Sequence, residues 1–452
     1  MSIVNGPAEL PVFGSIFDLR NDAPAFLTRL ARNYGDAARF TVFGREAFLL
    51  ANPELIKEVL INQPKNFRKS RGLQLAKSLL GEGLLTSEGE FHRQQRRMAA
   101  PAFAKARLVK YGADMAAIAD AHVATYPANQ RVDMNQLMMR LTLDIVNKTL
   151  FNADVSADAG KVSDALEVIL NNMDRILNPF TEIMNMLPLP STLRLREATK
   201  TLDDIVFKII ADRKASPGDR GDLLSIFLNA QNDTESGHQM TDKQIRDECL
   251  TLFIAGHETT ANALSWTLYL LAQNPEWIAK ARADIAQATK NGPVTAESFS
   301  AYEILPRIFA EALRLYPPAW TISREAIHDT EVGGIKIKTG TTVVMSQWVM
   351  HRHPKYWSEP EKFDPDRFLP ENASTELSTG STARPKFAYF PFGGGPRQCI
   401  GDQFAWMEGV LVLAVLLQKF SPRLIATNYA AQIQPMITLR PRGGMPLVLS
   451  AV

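Results

Sequence analysis

The residues best placed to do chemistry are Phe392-Gly393-Gly394-Gly395-Pro396-Arg397-Gln398-Cys399-Ile400-Gly401. They put one cysteine in a glycine-rich loop directly ahead of a strongly apolar stretch. A lone cysteine is most often a small buried hydrophobe. This one follows a loop pliant enough to lie flat against a large planar ligand, and it stands where a helix N-terminus would favour a thiolate. Arg397, two residues earlier, can reach an anionic group. These features suit a thiolate axial ligand to heme iron, with Arg397 near a heme propionate. A second chemical stretch is Ala255-Gly256-His257-Glu258-Thr259-Thr260, inside a long helical pattern. A mid-helix threonine can bond back to the carbonyl four residues earlier, here that of Ala255, and loosen the helix. Gly256 lets another group approach the backbone closely. An acid beside an alcohol, Glu258 with Thr259, can relay protons. Glu and Thr are common on helices, so it is the cysteine loop in the same chain that gives this pattern weight.

In these residues the chain resembles the cytochrome P450 family, the heme-thiolate monooxygenases. Phe392, Gly395, Arg397, Cys399 and Gly401 fill every fixed position of that family's heme-binding signature, and Ala255 to Thr260 match its oxygen-activation motif. The resemblance implies heme b with Cys399 as the metal ligand, Thr259 hydrogen-bonding dioxygen and Glu258 feeding protons. His257 falls at a variable position and is expected to be structural. A thiolate pushes electron density through iron and favours O–O cleavage. Cleavage to water also needs two protons, so a chain without a relay would leak peroxide. Two other readings remain: a peroxide-using or substrate-rearranging heme-thiolate enzyme, and a non-catalytic heme sensor. Members of the first kind often lack the acid–alcohol pair, and no sensor output domain is visible for the second.

The same resemblance assigns supporting roles. Glu311 and Arg314, three apart, share one helix face, and with Arg367 they are expected to form a buried charge triad. His92 and Arg96 share a face of a basic helix start, where many relatives carry Trp in place of His92. With Arg324 and Arg397 they are candidates to hold the heme propionates, because buried carboxylates need cationic partners. Arg93, Arg97, Lys105 and Lys110 could form a basic docking face for an acidic electron donor. That donor is expected to be a separate ferredoxin or flavodoxin with its reductase, because the chain ends soon after Cys399 with no fused flavin or iron–sulfur domain. NAD(P)H would act only indirectly, through those partners.

Composition bounds the rest. The chain has 452 residues, a formal net charge of +2 and 46% hydrophobic residues. This argues against a nucleic-acid binder and allows a large core. Its only two cysteines, Cys249 and Cys399, make neither a disulfide framework nor a zinc site. No signal peptide is visible, and the longest apolar run, Val410 to Leu417, falls far short of the ~20 residues that cross a bilayer. A cytoplasmic monomer without a transmembrane segment is expected. Phe40 to Ala51 reads as a hairpin around Gly44-Arg45. Thr241 with Gln244 makes a capping box for a helix running to Asn274-Pro275, roughly 50 Å long. Another helix runs from about Leu305 to Tyr316, with short β-like runs at Glu331–Lys338 and Thr341–Ser346. The expected fold is mainly α with small sheets, one P450 domain over residues 1–452, its heme between the long central helix and the helix after Cys399. The segments expected to line the pocket are apolar and include Trp320, Phe180, Met184, Met186 and Met436. They suggest a hydrophobic substrate: a fatty acid, terpenoid or carotenoid. Arg45 is a candidate carboxylate anchor, by likeness to some fatty-acid hydroxylases.

Overall fold

The computed structural model describes residues 4–152, 159–172, 187, 189–216, 218–232, 239–370 and 384–452. It is mainly helical with small sheets, as the sequence predicts.

The long helix spans Asp242–Gln273. Its start is set by the capping box: the Thr241 hydroxyl accepts the Gln244 amide at 3.2 Å, and the Gln244 side chain accepts the Thr241 amide at 2.7 Å. It stops at Asn274 because Pro275 cannot extend it; Pro275 instead opens the next helix, Pro275–Thr289. From Ile245 to Leu271 every residue is buried except Ala255, Gly256 and Thr259. A helix covered on all sides is a core element. Its neighbours are the helix Met134–Val146, the triad helix Leu305–Leu315 and the cysteine helix Asp402–Lys419. Gly256 fits one of these contacts: a Cβ there would stand 3.0 Å from Val146 Cγ2.

The largest sheet has five strands, in the order Ala37–Val42, Arg45–Leu50, Thr342–Met345, Ile322–Ala326 and Phe67–Lys69. The first two form the expected hairpin. Its turn residues Phe43 (φ 49) and Gly44 (φ 72) both sit in the left-handed region that a tight two-residue turn requires. The third strand pairs parallel with the second, and the other contacts are antiparallel. The expected β run at 331–338 is a separate hairpin, Thr330–Val332 with Ile335–Ile337. One apolar cluster surrounds the long and cysteine helices; a second lies between the sheet and the helix Ile16–Tyr34. That first helix has no clean periodicity in the sequence for a physical reason. It breaks at Asp22 (φ −157, ψ 87), whose side chain accepts the Ala25 amide at 2.9 Å and restarts the helix around Pro24. The polar run at residues 369–386, which reads from its composition as a surface loop, lies largely outside the described residues.

Candidate heme and oxygen site

The cysteine loop is held by its own backbone. Phe390 O accepts Gly393 N at 2.9 Å, Phe392 O accepts Cys399 N at 3.0 Å, and Gly395 O accepts Gln398 N at 3.0 Å. Gly395 is required on the protein side of the loop: its φ is +71, and a Cβ there would meet the Leu60 carbonyl at 2.0 Å. Gly401 caps the cysteine helix, with Asp402 in its first turn. The Phe392 ring packs 6.2 Å from that of Trp406 on the helix.

Cys399 retains accessible surface, yet burial pushes its thiol up to about 11. A side chain can be both deep and accessible only if it faces an internal space. The helix start and the Gly401 amide favour the thiolate, as the sequence suggests, but without a metal they are outweighed by desolvation. A coordinated metal ion would reverse this, since it deprotonates a thiol outright.

The four candidate propionate residues meet. His92 and Arg96 come from the helix Gly89–Ala99, Arg324 from the strand Ile322–Ala326 and Arg397 from the loop. Arg96 Nη1 donates to the Gln398 carbonyl at 2.6 Å. Two residues join them that no sequence signal marks. Lys69, at the end of a three-residue strand, is buried and donates from Nζ to the carbonyls of Leu84 and Ser87, both at 2.8 Å. Glu88 accepts the Lys69 amide at 2.6 Å and pairs with Arg397 Nη2. Five bases thus face the Glu88 carboxylate, with Glu248 besides it near Lys69, and burial raises Glu248 to about 8. Burial and the charge of Arg397 bring Lys69 down to about 7, and burial with Lys69 and Arg397 brings His92 down to about 4. Burial also lowers Arg324 to about 10. Arg397 Nη1 is buried without a hydrogen-bond partner. The cluster is short of negative charge, and the two carboxylates of a heme would supply it. The residues present therefore fit the cofactor.

On the long helix, Ala255, Gly256 and Thr259 share one face of a single turn, the only uncovered face between Ile245 and Leu271. Thr259 Oγ1 donates to the Ala255 carbonyl at 2.7 Å. Glu258 is turned elsewhere. Its Oε1 accepts Arg440 Nε at 2.6 Å and the Thr438 hydroxyl, both at the C-terminal hairpin of strands Ile433–Pro435 and Leu439–Pro441. Successive helix residues diverge by ~100°, so acid and alcohol occupy different sides of the helix. Asn262 Nδ2, one turn on, donates to Thr438 Oγ1 at 3.3 Å. His257 is buried, its Nδ1 2.8 Å from the Phe253 carbonyl, while Thr142 donates to the His257 carbonyl at 2.9 Å.

Glu311 and Arg314 of the charge triad are fully interior, and Arg367 closes it from a partly buried position. Arg314 uses all five of its donors: Nε and Nη2 on the Glu311 carboxylate at 2.6 and 2.8 Å, and the rest on the carbonyls of His351, Pro360 and Lys362 at 2.8, 2.6 and 3.0 Å. Arg367 Nε lies 3.4 Å from Glu311 Oε1. Trp320, expected along the pocket, is anchored by its indole. It is 7% exposed and donates from Nε1 to the Met436 carbonyl at 2.8 Å. It thereby ties its segment to the hairpin whose tip carries the exposed Ile437. Phe180, Met184 and Met186 lie outside the described residues. Arg45 is exposed beside the turn of the first hairpin. Arg93, Arg97, Lys105 and Lys110 are all exposed, and Arg93 pairs with Glu90 at 2.7 Å.

A model of the cytochrome P450 family matches residues 4–447, and the chain belongs to that family. Cyclooctatin synthase of Streptomyces melanosporofaciens is 35% identical over 98% of this chain and 92% of its own. Pentalenene oxygenase of Streptomyces avermitilis is 31% identical over 92% of this chain and 90% of its own. Among solved structures, the cytochrome P450DA heme domain superposes with a TM-score of 0.87 at 28% identity, covering 99% of this chain and 98% of that one. The protein is a heme-dependent P450 monooxygenase, which inserts one atom of dioxygen into its substrate. Among the described residues, no helix is long and apolar enough to cross a membrane.

Proposed function

We propose that this monooxygenase is one 452-residue catalytic unit that hydroxylates a hydrophobic, terpenoid-type substrate, with Cys399 as the axial ligand of heme b. The observation that carries the site assignment is the bare face of Ala255, Gly256 and Thr259 in a helix otherwise covered from Ile245 to Leu271. When bound, the heme supplies the iron that activates dioxygen. Phe392, Gly395 and Gly401 shape the loop that presents Cys399. Arg397, His92, Arg96 and Arg324, with Lys69, hold the propionates and use the negative charge their cluster lacks. Thr259 offers a hydroxyl at the edge of the open face; released from the Ala255 carbonyl, it would donate a hydrogen bond to dioxygen there. Glu258 supplies protons after leaving the hairpin side of the helix.

Terpenoid chemistry is favoured over fatty acids on two grounds. Cyclooctatin synthase, cyclooctat-9-en-7-ol 5-monooxygenase and pentalenene oxygenase all match over nine-tenths or more of this chain. Arg45, the candidate carboxylate anchor, is exposed at a hairpin turn. Electrons come from NAD(P)H through a reductase and a separate ferredoxin or flavodoxin, docking on the basic face of Arg93, Arg97, Lys105 and Lys110.

The test is a spectral screen followed by turnover. Terpenoid hydrocarbons and alcohols should shift the heme from low to high spin and yield hydroxylated product with a surrogate reductase and ferredoxin. A tight spin shift with a small polar molecule, and none with apolar ligands, contradicts the substrate class.

A further inference from the structure

His351 is buried completely, and its imidazole takes no part in the charge triad that its main chain joins. Its ring lies 5.0 Å from that of Tyr389 and edge-on to Phe390 at 5.6 Å. Its Nε2 stands 3.0 Å from the Phe390 backbone nitrogen. An amide N–H can only donate, so Nε2 must be the unprotonated nitrogen and the ring proton must sit on Nδ1. Nδ1 is turned towards the carbonyls of Leu313 and Arg314 at the end of the triad helix, without closing a well-formed hydrogen bond to either. Burial, with Arg314 and Arg352 close by, holds the imidazole neutral far below its ordinary value. The backbone carbonyl of the same residue accepts Arg314 Nη1 at 2.8 Å. His351 thus receives the triad through its main chain and passes to the cysteine loop through its ring.

From Phe390 the connection continues in backbone bonds already described: Phe390 O to Gly393 N, then Phe392 O to Cys399 N. Glu311, Arg314, His351, Phe390, Phe392 and Cys399 form one ladder in which the His351 ring is the side-chain rung onto Phe390; the neighbouring Tyr389 hydroxyl separately donates to the Ala310 carbonyl of the triad helix at 2.9 Å. We propose that His351 is a positioning residue for Cys399: its Nε2 fixes the Phe390 amide, and through it the loop that sets the place of the Cys399 sulfur. This rests on the reading of Cys399 as the axial ligand.

The experiment compares the heme-loaded wild type with His351→Leu, which has no acceptor, and His351→Gln, whose carbonyl can replace Nε2. Two readouts are taken. Amide hydrogen exchange reports Phe390, Gly393 and Cys399. The ferrous–carbonyl Soret band reports the thiolate in whatever fraction is folded. His351→Leu should exchange those amides roughly fivefold faster or more, as the loss of one net hydrogen bond implies, and should shift part of the Soret band to the non-thiolate position. His351→Gln should recover most of both. Wild-type behaviour of His351→Leu overturns the proposal. Equal damage in His351→Gln also overturns it, because packing rather than the acceptor would then matter. If neither variant folds, nitrogen NMR of the wild-type imidazole decides: a proton on Nδ1 alone is required, and a proton on Nε2 contradicts it. A wild type that lacks the thiolate band altogether would refute the Cys399 reading, while the amide exchange would still judge the His351 bond.

Discussion

The cysteine side and the oxygen side of the site differ in how their polar groups are fixed. On the cysteine side, the Arg314 guanidinium spends all five donors on Glu311 and three backbone carbonyls, and backbone bonds close the loop around Cys399. On the oxygen side, Thr259 bonds only its own helix, Ala255 is exposed, Gly256 is half-buried, and Glu258 is held away by Arg440 and Thr438. One side has a single arrangement; the other has groups that must exchange partners to act. The difference matches the tasks. A metal ligand has to stay put, whereas protons have to be delivered and the substrate admitted.

The comparison predicts its largest effect on the fixed side. Glu311→Ala strands a buried arginine, and breaking such a pair costs about 3–5 kcal/mol, a large part of a stability margin of about 5–15 kcal/mol. Little heme-loaded protein should accumulate. A normal yield of folded Glu311→Ala holoprotein would show the triad to be dispensable.

A pH-dependent effect comes next. Glu408 on the cysteine helix is fully buried, neither carboxylate oxygen makes a well-formed hydrogen bond, and burial raises its pKa well above 4.5. With the folded value above the unfolded one, its contribution to stability is complete below about pH 4.5 and is lost as the pH rises towards the folded value. The slope approaches about 1.4 kcal/mol per pH unit. Glu408→Gln should therefore melt above the wild type at pH 8, with the gap narrowing towards pH 5. A gap that does not change with pH would mean Glu408 carries no such penalty.

Effects on the adaptable side should be smaller in stability and visible in turnover. Thr259→Ala should keep its heme and its melting temperature. Product formed per reduced nicotinamide should fall roughly fivefold, the worth of about 1 kcal/mol of hydrogen bonding, with the lost electrons appearing as peroxide. Unchanged coupling would remove Thr259 from the oxygen chemistry. Smallest of all, Arg45→Ala at its exposed turn should leave terpenoid spin-shift affinity within about twofold, as for most surface substitutions. A large loss would return Arg45 to the pocket.

What was legible in the sequence follows the same division. The triad pair is three residues apart on one helix, the capping box announces the long helix, and the cysteine loop is contiguous, so local spacing carried them. Glu258 is different. The acid is plain in the motif, but its partners Thr438 and Arg440 arrive from a hairpin near the C-terminus that nothing local connects to it. Lys69 and Glu88 read as ordinary charged residues until a strand and a loop bring them against Arg397. His351 is one of two histidines flanking Arg352, and only packing distinguishes the buried ring from its half-covered neighbour His353. Trp320 is plain in its apolar segment, but the bond from its indole N–H to the Met436 carbonyl joins residues 116 apart and has no local signal.

The central claim is that Cys399 ligates the heme iron as a thiolate. The ferrous–carbonyl spectrum tests it most directly. The wild type should show the red-shifted Soret band of a thiolate-ligated heme, and Cys399→His should lose it while still binding heme. Survival of that band in Cys399→His, or its absence from the wild type, would contradict the account.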